Sequence, residues 1–180
     1  MLDWTAREFA FRELVARIKS LGRAYDCVVP VSGGKDSTWQ VVTCLEYGLK
    51  PLAVTWRTPV RTEIGWRNLD NLISLGVDHV DFTINPNVER AFMRKSFERA
   101  GSCAIPMHLA IYNIPLKAAL NYSVPLIVWG ENSASEYSGQ ADDAHLIQLD
   151  RAWLAKFGVT QGTTAEDWCD ETLSIRELAA

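Results

Sequence analysis

The chain opens with LDWTAREFAFRELVARIKSLG, in which Phe9, Leu14, Val15 and Ile18 recur at near-helical spacing before Gly22. That spacing predicts an amphipathic helix over residues 1–22, with the glycine as its C-cap. DCVVPV, residues 26–31, is a short apolar run that stops just before Gly33 and Gly34, as expected of a buried strand feeding a tight turn. TWQVVTCLEYGL follows as a helix ending near Gly48, and PLAVTW, residues 51–56, predicts a second strand. RNLDNLISLGVD carries Leu69, Leu72, Ile73 and Leu75 on a helix closed near Gly76, and HVDFTI, residues 79–84, predicts a third strand. Asn85 and Pro86 signal a helix start, running to Gly101. LAIYNIPLKAALNYS is helical in pattern and leads to a fourth strand at VPLIVWG, residues 124–130. Beyond Gln140 the pattern becomes two helical stretches, HLIQLDRAWLAKFG and TTAEDWCDETLSIRELAA, with no clear strand.

Strands alternating with helices at this spacing imply crossover units, and therefore an open, mainly parallel α/β sheet with helices on both faces. In such sheets ligands bind beyond the carboxyl ends of the strands, near the point where strand order reverses. SGGKDS, TWR and WGEN each follow a predicted strand end, so these three stretches are expected to meet there.

Composition narrows the class of partner. With 48% hydrophobic and 22% charged residues in 180, the chain reads as one folded, soluble domain. A formal net charge of -4 gives no global electrostatic reason to bind nucleic acid, which is not expected as a partner. Cys27, Cys44, Cys103 and Cys169 lie far apart with no CxxC, which argues against a zinc ribbon or a disulfide framework and for reduced thiols. No signal-peptide pattern precedes the first helix, and the apolar runs are too short to span a bilayer. A cytoplasmic protein without membrane insertion is the expectation.

The chemistry is concentrated in VVPVSGGKDSTWQ, residues 28–40. A phosphate-cradling loop needs glycines where backbone approaches oxygen, open N–H groups at a helix start, and often a cation. Ser32 to Ser37 supplies all three. The Walker A spacing fails: it requires a glycine at Val29 and a Ser or Thr where Asp36 stands, and GxGxxG fails as well. The match is to SGGxDS after a strand.

That motif resembles the PP-loop of the N-type ATP pyrophosphatases. The resemblance implies an adenine nucleotide alpha hydrolase-like, HUP-type fold with the PP-loop after the first strand, and ATP and Mg2+ as cofactors. It also implies a reaction in which a substrate oxygen is adenylated before a nitrogen or sulfur nucleophile displaces AMP. Carried over residue by residue, Pro30, Val31, Ser32, Gly33, Gly34, Lys35, Asp36 and Ser37 form the loop that holds the pyrophosphate portion of ATP. Attack at the α-phosphorus develops charge on the departing pyrophosphate, so Lys35 and the loop amides stabilise the transition state selectively. Asp36 reads either as a magnesium or loop-orienting carboxylate or as a helix-start acid complementing the dipole.

Thr55 and Trp56, at the end of the second strand, occupy the place where such proteins set backbone against the adenine edge. Trp56 is read equally as a stacking platform and as a packing residue. Gly130 permits close backbone approach to the nucleotide, and Glu131 is the candidate magnesium ligand or substrate contact. Lys35, Asp36 and Glu131 are thus the catalytic candidates, Asp36 and Glu131 the metal candidates. Arg90, Arg94 and Lys95 read mainly as a solvated helix face, whereas Arg57, Arg61 and Arg67 cluster nearer the site and are better placed for an anionic substrate. Cys103, in AGSCAIPMH, reads as a small buried residue rather than a sulfur carrier.

Further blocks are similar to the N-acetyl sugar amidotransferases of surface-polysaccharide biosynthesis. They are YDCVVPVSGGKDSTWQV, GLKPLAVTW, IGWRNLDNLISLGVDHVDFTIN, IPLKAAL and VPLIVWGEN with SEYSGQ after it, together covering residues 23–140. In that family ATP activates the amide oxygen of an N-acetyl group on a sugar, and ammonia displaces AMP to give an acetamidino group. The implied partners are a nucleotide sugar or other small-molecule acceptor and glutaminase and cyclase-like subunits that supply the ammonia; a homo-oligomer is compatible with this. Family members also carry an N-terminal cysteine-rich metal-binding segment and a longer C-terminal part that the sequence does not match, so a fragment or shortened relative is expected. The implied organisation is a single domain: a helix over 1–22, a nucleotide-binding core over 23–140 and a helical segment over 141–180. Two other readings stay open, a tRNA-thiolation enzyme of the same superfamily and a non-catalytic adenine-nucleotide-binding subunit.

Overall fold

The computed structural model describes residues 3–130 and 162–179. Its helices are α1 (Trp4–Lys19), α2 (Lys35–Glu46), α3 (Glu63–Ile73), α4 (Pro86–Ala100), α5 (Ala104–Asn121) and α6 (Ile175–Ala179). Its strands are β1 (Cys27–Pro30), β2 (Pro51–Trp56) and β3 (Asp78–Phe82). The chain forms two compact units, Met1–Phe82 with Asn113–Gly130, and Thr83–Tyr112 with Glu131–Ala180.

The first unit is an α/β layer built on a parallel sheet of order β1-β2-β3. Val28 pairs with Leu52, and Thr55 pairs with Asp81. One face presents Cys27, Val29, Val31 and Ala53 to Val15 and Ile18 of α1, Val41 and Cys44 of α2, and Leu69 and Leu72 of α3. The opposite face, with Val28, Leu52, Val54 and Trp56, is buried too, which is why β1 and β2 read as continuous apolar runs rather than alternating ones. Cys27 and Cys44 are free thiols within this core; their mutual hydrogen bond and burial push the Cys27 thiol up and keep it protonated.

Helix starts follow capping chemistry. Asp3 accepts from the Ala6 amide at α1, and Thr62 accepts from the Gly65 amide at α3. Helix α3 thus begins four residues before the run RNLDNLI that marks it in the sequence, because the Thr62 cap outweighs the glycine in its first turn. In α1 the C-cap is Ser20 rather than Gly22, and Phe9 is 64% exposed. Phe11 takes the place expected of Phe9, packing edge-on against Tyr47 at 5.0 Å between ring centroids.

The expected fourth strand at residues 124–130 reduces to one parallel bridge, Val28 to Ile127, made by Val28 N–H to Leu126 O at 2.8 Å and Val128 N–H to Val28 O at 2.9 Å. The next donor along β1 on that side would be residue 30, and Pro30 has no N–H, so the ladder stops there. The bridge nonetheless fixes the topology. From β1 the chain moves outward to β2 and β3, then returns to the other side of β1, which makes the carboxyl end of β1 the switch point of the sheet.

In the second unit α4 starts at an Asn85 cap with Pro86 in its first turn and ends at Gly101, whose φ of 66° is the left-handed value that favours glycine. The C-terminal region is a 3-10 turn, Glu166–Trp168, followed by the short α6, rather than one long helical stretch. The Asp170 carboxylate accepts from the Thr172 and Leu173 amides, which turns the chain and interrupts the helix. This region is fastened to α4: Phe92 meets Trp168 at 5.3 Å, Lys95 donates to the Trp168 carbonyl at 2.9 Å and pairs with Asp170, and Arg99 lies over the Trp168 ring. The hydrogen bonds from Lys95 and Thr172 hold the Asp170 carboxyl well below the usual carboxylate range. Residues 145–158, where the other helical stretch is expected, lie outside the described residues. Among the described residues no helix is long and apolar enough to cross a membrane.

Candidate functional site

The site is built from the turn between β1 and α2. Val31 leaves the strand with its amide on Val54 O at 2.9 Å, while the buried Thr55 hydroxyl donates to Val31 O at 2.8 Å. These two bonds fix the backbone just before Ser32. Gly33 follows at φ 82°, and a Cβ built there would stand 3.0 Å from the Leu69 amide nitrogen and 3.3 Å from the Asn68 carbonyl carbon. Only glycine meets both demands, left-handed backbone and direct contact with the backbone of α3.

Gly34 is the N-cap of α2, with no side chain closing the helix end. Thr38 N–H to Gly34 O, at 3.1 Å, is the first bond of the helix, so the amides of Lys35, Asp36 and Ser37 precede the ladder and point out of the helix start. These amides and the dipole behind them favour an anion. The hydroxyls engage within the loop: Ser32 Oγ accepts from the Gly34 amide at 3.3 Å, and Ser37 and Thr38 donate to Gly34 O at 3.1 and 2.9 Å. Lys35 Nζ meets Asp36 Oδ1 at 2.6 Å with both side chains largely exposed, a pair too solvated to hold the lysine firmly.

Across the switch point, the segment after the Ile127 bridge brings Gly130 against α2. A Cβ there would lie 2.7 Å from Gln40 Nε2, and Gln40 Oε1 is buried with no hydrogen-bond partner. In this structure the group that the Gly130 backbone approaches is the Gln40 side chain. Glu131 lies outside the described residues. Of the stretches expected to converge, SGGKDS and Thr55 are joined through Val31, and Gly130 faces Gln40 on the helix that SGGKDS begins. Trp56 is 9% exposed.

At the carboxyl ends of β2 and β3 lies a polar cluster. Arg57 donates from Nε and Nη2 to Asp81 Oδ2 at 2.8 and 2.6 Å, and Arg61 Nη1 stands 3.6 Å from the same oxygen. Both guanidinium groups lie over the Trp66 ring, at 5.2 and 4.5 Å. His79 Nε2 is 2.9 Å from Thr55 Oγ1. Because the single Thr55 proton goes to Val31 O, His79 is the donor in that contact, which assigns the neutral ring its Nε2–H tautomer. Burial lowers the His79 pKa, against the pull of Asp81, and Arg61 and Arg57 lower it further.

His79, Asp81, Trp66 and Gln40 lie within the sequence blocks quoted above, but nothing in those blocks singles them out as site residues. The trace they leave is the alternation of polar His79 and Asp81 with apolar Val80 and Phe82 in β3, unlike the continuous apolar run of β1. Arg94 pairs with Glu98 at 2.7 Å and Lys95 serves the C-terminal turn. Cys103 Sγ donates to Met93 O at 3.7 Å. Among the described residues no group of three or more His, Cys, Asp or Glu is placed to hold a metal ion. Asp36 alone is compatible with Mg2+ bound chiefly through a ligand's phosphates, since Mg2+ needs only one or two protein carboxylates in such sites.

No protein-family model matches the sequence, and no curated protein matches it. Among solved structures, a predicted subunit of tRNA methyltransferase from Methanocaldococcus jannaschii is similar at TM-score 0.48 and 16% identity, over 85% of this chain and 73% of its own. NMN synthetase from Francisella tularensis is similar at TM-score 0.49 and 18% identity, over 97% of this chain and 78% of its own.

Proposed function

We propose that this chain is an ATP-dependent enzyme of the PP-loop type that splits ATP between its α- and β-phosphates and adenylates the amide oxygen of an N-acetylated sugar. The observation that carries the reading is the placement of Ser32–Ser37: SGGKDS sits at the carboxyl end of β1, at the switch point of a parallel sheet, on an uncapped helix start. The Gly33 conformation and the open amides of Lys35, Asp36 and Ser37 suit an anion with several oxygens. The exposed Lys35 exchanges its weak pairing with Asp36 for the phosphates.

In the proposed reaction the amide oxygen attacks the α-phosphorus and the bond to the bridging oxygen breaks. The electron pair leaves with pyrophosphate, where Lys35 and the loop amides receive the developing charge. Ammonia then adds to the amide carbon, and AMP departs carrying the former amide oxygen, so nitrogen replaces oxygen in an acetamidino product. Asp36 and Glu131 would hold Mg2+, which would supply neutralisation of phosphate charge when bound. The backbone at Thr55 and Trp56 lies along the adenine edge, and Gly130 admits the nucleotide beside Gln40. Glutaminase and cyclase-like subunits are the proposed source of ammonia.

The test is incubation with ATP, Mg2+, ammonium and a panel of UDP-N-acetyl sugars, with and without candidate ammonia-supplying subunits. AMP, pyrophosphate and a sugar lighter by the exchange of oxygen for NH are expected. Nucleotide binding with no acceptor-dependent pyrophosphate would make the chain a binding subunit. Loss of activity in Cys103→Ser with tRNA as acceptor would move it to thiolation.

A further inference from the structure

We infer that Arg57 and Arg61 form a receptor for the phosphate of a phosphorylated sugar, beside the nucleotide loop and separate from it; naming this group as the acceptor's rests on the adenylating reading above. The charges do not balance within the cluster. Asp81 Oδ2 already takes two hydrogen bonds from Arg57, which satisfy the carboxylate's need for a cation. Arg61 is a second cation held against the same oxygen at 3.6 Å, too far for a hydrogen bond.

The Arg61 side chain is only 8% exposed, and its Nη1 is buried without a hydrogen-bond partner. Asp81 Oδ1, in the same cluster, is buried and unpartnered as well. An orphaned charged donor beside an orphaned carboxylate oxygen is costly unless a ligand supplies both complements. The ligand that does so presents an anionic oxygen to Arg61 and a hydroxyl or amide N–H to Asp81. A sugar carrying a phosphate next to hydroxyl or N-acetyl groups has this chemistry, whereas a bare anion such as sulfate or chloride lacks the donor.

The surroundings suit such a ligand. Arg57 is 46% exposed and its guanidinium carries donors beyond the two that Asp81 takes, so it offers an outward fork. Trp66, 38% exposed, lies under both guanidinium groups and holds them in place. The cluster is tied to the loop from two sides. Asp81 pairs with Thr55, whose hydroxyl holds Val31, and Trp66 shares α3 with Asn68 and Leu69, the backbone against which Gly33 lies.

The experiment is calorimetric titration of the full chain with UDP-N-acetylglucosamine and with N-acetylglucosamine, in saturating α,β-methylene-ATP and Mg2+ at constant ionic strength. Wild type is expected to bind UDP-N-acetylglucosamine and to bind N-acetylglucosamine far more weakly. Arg61→Gln and Arg57→Gln are each expected to weaken UDP-N-acetylglucosamine about tenfold or more, the size of one lost charge-assisted hydrogen bond. Affinity for α,β-methylene-ATP should stay at the wild-type value in both variants. Arg57→Gln, at a half-exposed position, keeps the test open if Arg61→Gln does not fold. Wild-type affinity for UDP-N-acetylglucosamine in a folded Arg57→Gln or Arg61→Gln variant overturns the inference, as does a wild type that does not bind this ligand or binds the unphosphorylated sugar equally well. Failure of α,β-methylene-ATP to bind while the arginine variants still lose the sugar nucleotide would instead refute the ATP reading and leave the anion receptor standing.

Discussion

Replacing Gly33 by alanine tests the geometry of the loop between β1 and α2 directly. The methyl group meets two obstacles. At φ 82° an L side chain pays the left-handed penalty, about 1–2 kcal/mol. It also lands 3.0 Å from the Leu69 nitrogen, which belongs to helix backbone and cannot swing aside, and such overpacking costs typically about 1–3 kcal/mol more. The sum is about 2–5 kcal/mol. Gly76 supplies the control, because its φ is 93° but a Cβ there has nothing within 4 Å. Gly76→Ala therefore carries the conformational part alone, about 1–2 kcal/mol. Urea denaturation followed by circular dichroism, with equal m-values, reads the two variants against wild type. A Gly33→Ala loss no larger than that of Gly76→Ala would refute the claim that the loop is seated on the backbone of α3.

Three further outcomes follow from the same geometry. If Lys35 holds phosphate as proposed, Lys35→Ala should weaken α,β-methylene-ATP about tenfold or more, the size of one charge-assisted contact, while the unfolding midpoint barely moves because its pairing with Asp36 is exposed; calorimetric titration and thermal unfolding read both. Gly130→Ala should cost less than Gly33→Ala, because the atoms it meets are the far end of the Gln40 side chain rather than helix backbone, and a double-mutant cycle of urea midpoints with Gln40→Ala should show its loss as coupling between the two. His79 is neutral when folded and its pKa lies below the ordinary 6.5, so the unfolded chain takes up the proton first. Its contribution to stability is complete above pH 6.5 and is lost as pH falls through the lowered folded value; His79→Gln should flatten the unfolding midpoint across that window.

Much of the fold is legible because both faces of the sheet are buried. CVVP and PLAV are apolar without interruption, and the turn chemistry of Gly33, Gly48 and Gly76 punctuates the elements. The loop is legible for a related reason: a glycine pair between an apolar run and a helix start has few other uses. What the sequence hides is set by partners in space. The 124–130 run has a strand's composition, yet its ladder ends because of Pro30 on a neighbouring strand. Phe9 and Phe11 look alike in a helical pattern, and only the position of Tyr47 decides which of them packs. The Arg57–Asp81 pair spans residues that meet only through the parallel register of β2 and β3. Gln40 resembles any polar helical residue until Gly130 is seen against it.

The central claim is that Ser32–Ser37 holds the pyrophosphate of ATP while the α-phosphorus is attacked. Its most direct measurement is the identity of the nucleotide product, resolved by phosphorus-31 NMR during turnover with Mg2+, ammonium and a UDP-N-acetyl sugar. AMP and pyrophosphate in equal amounts, dependent on Lys35, are expected. ADP with inorganic phosphate would contradict that claim.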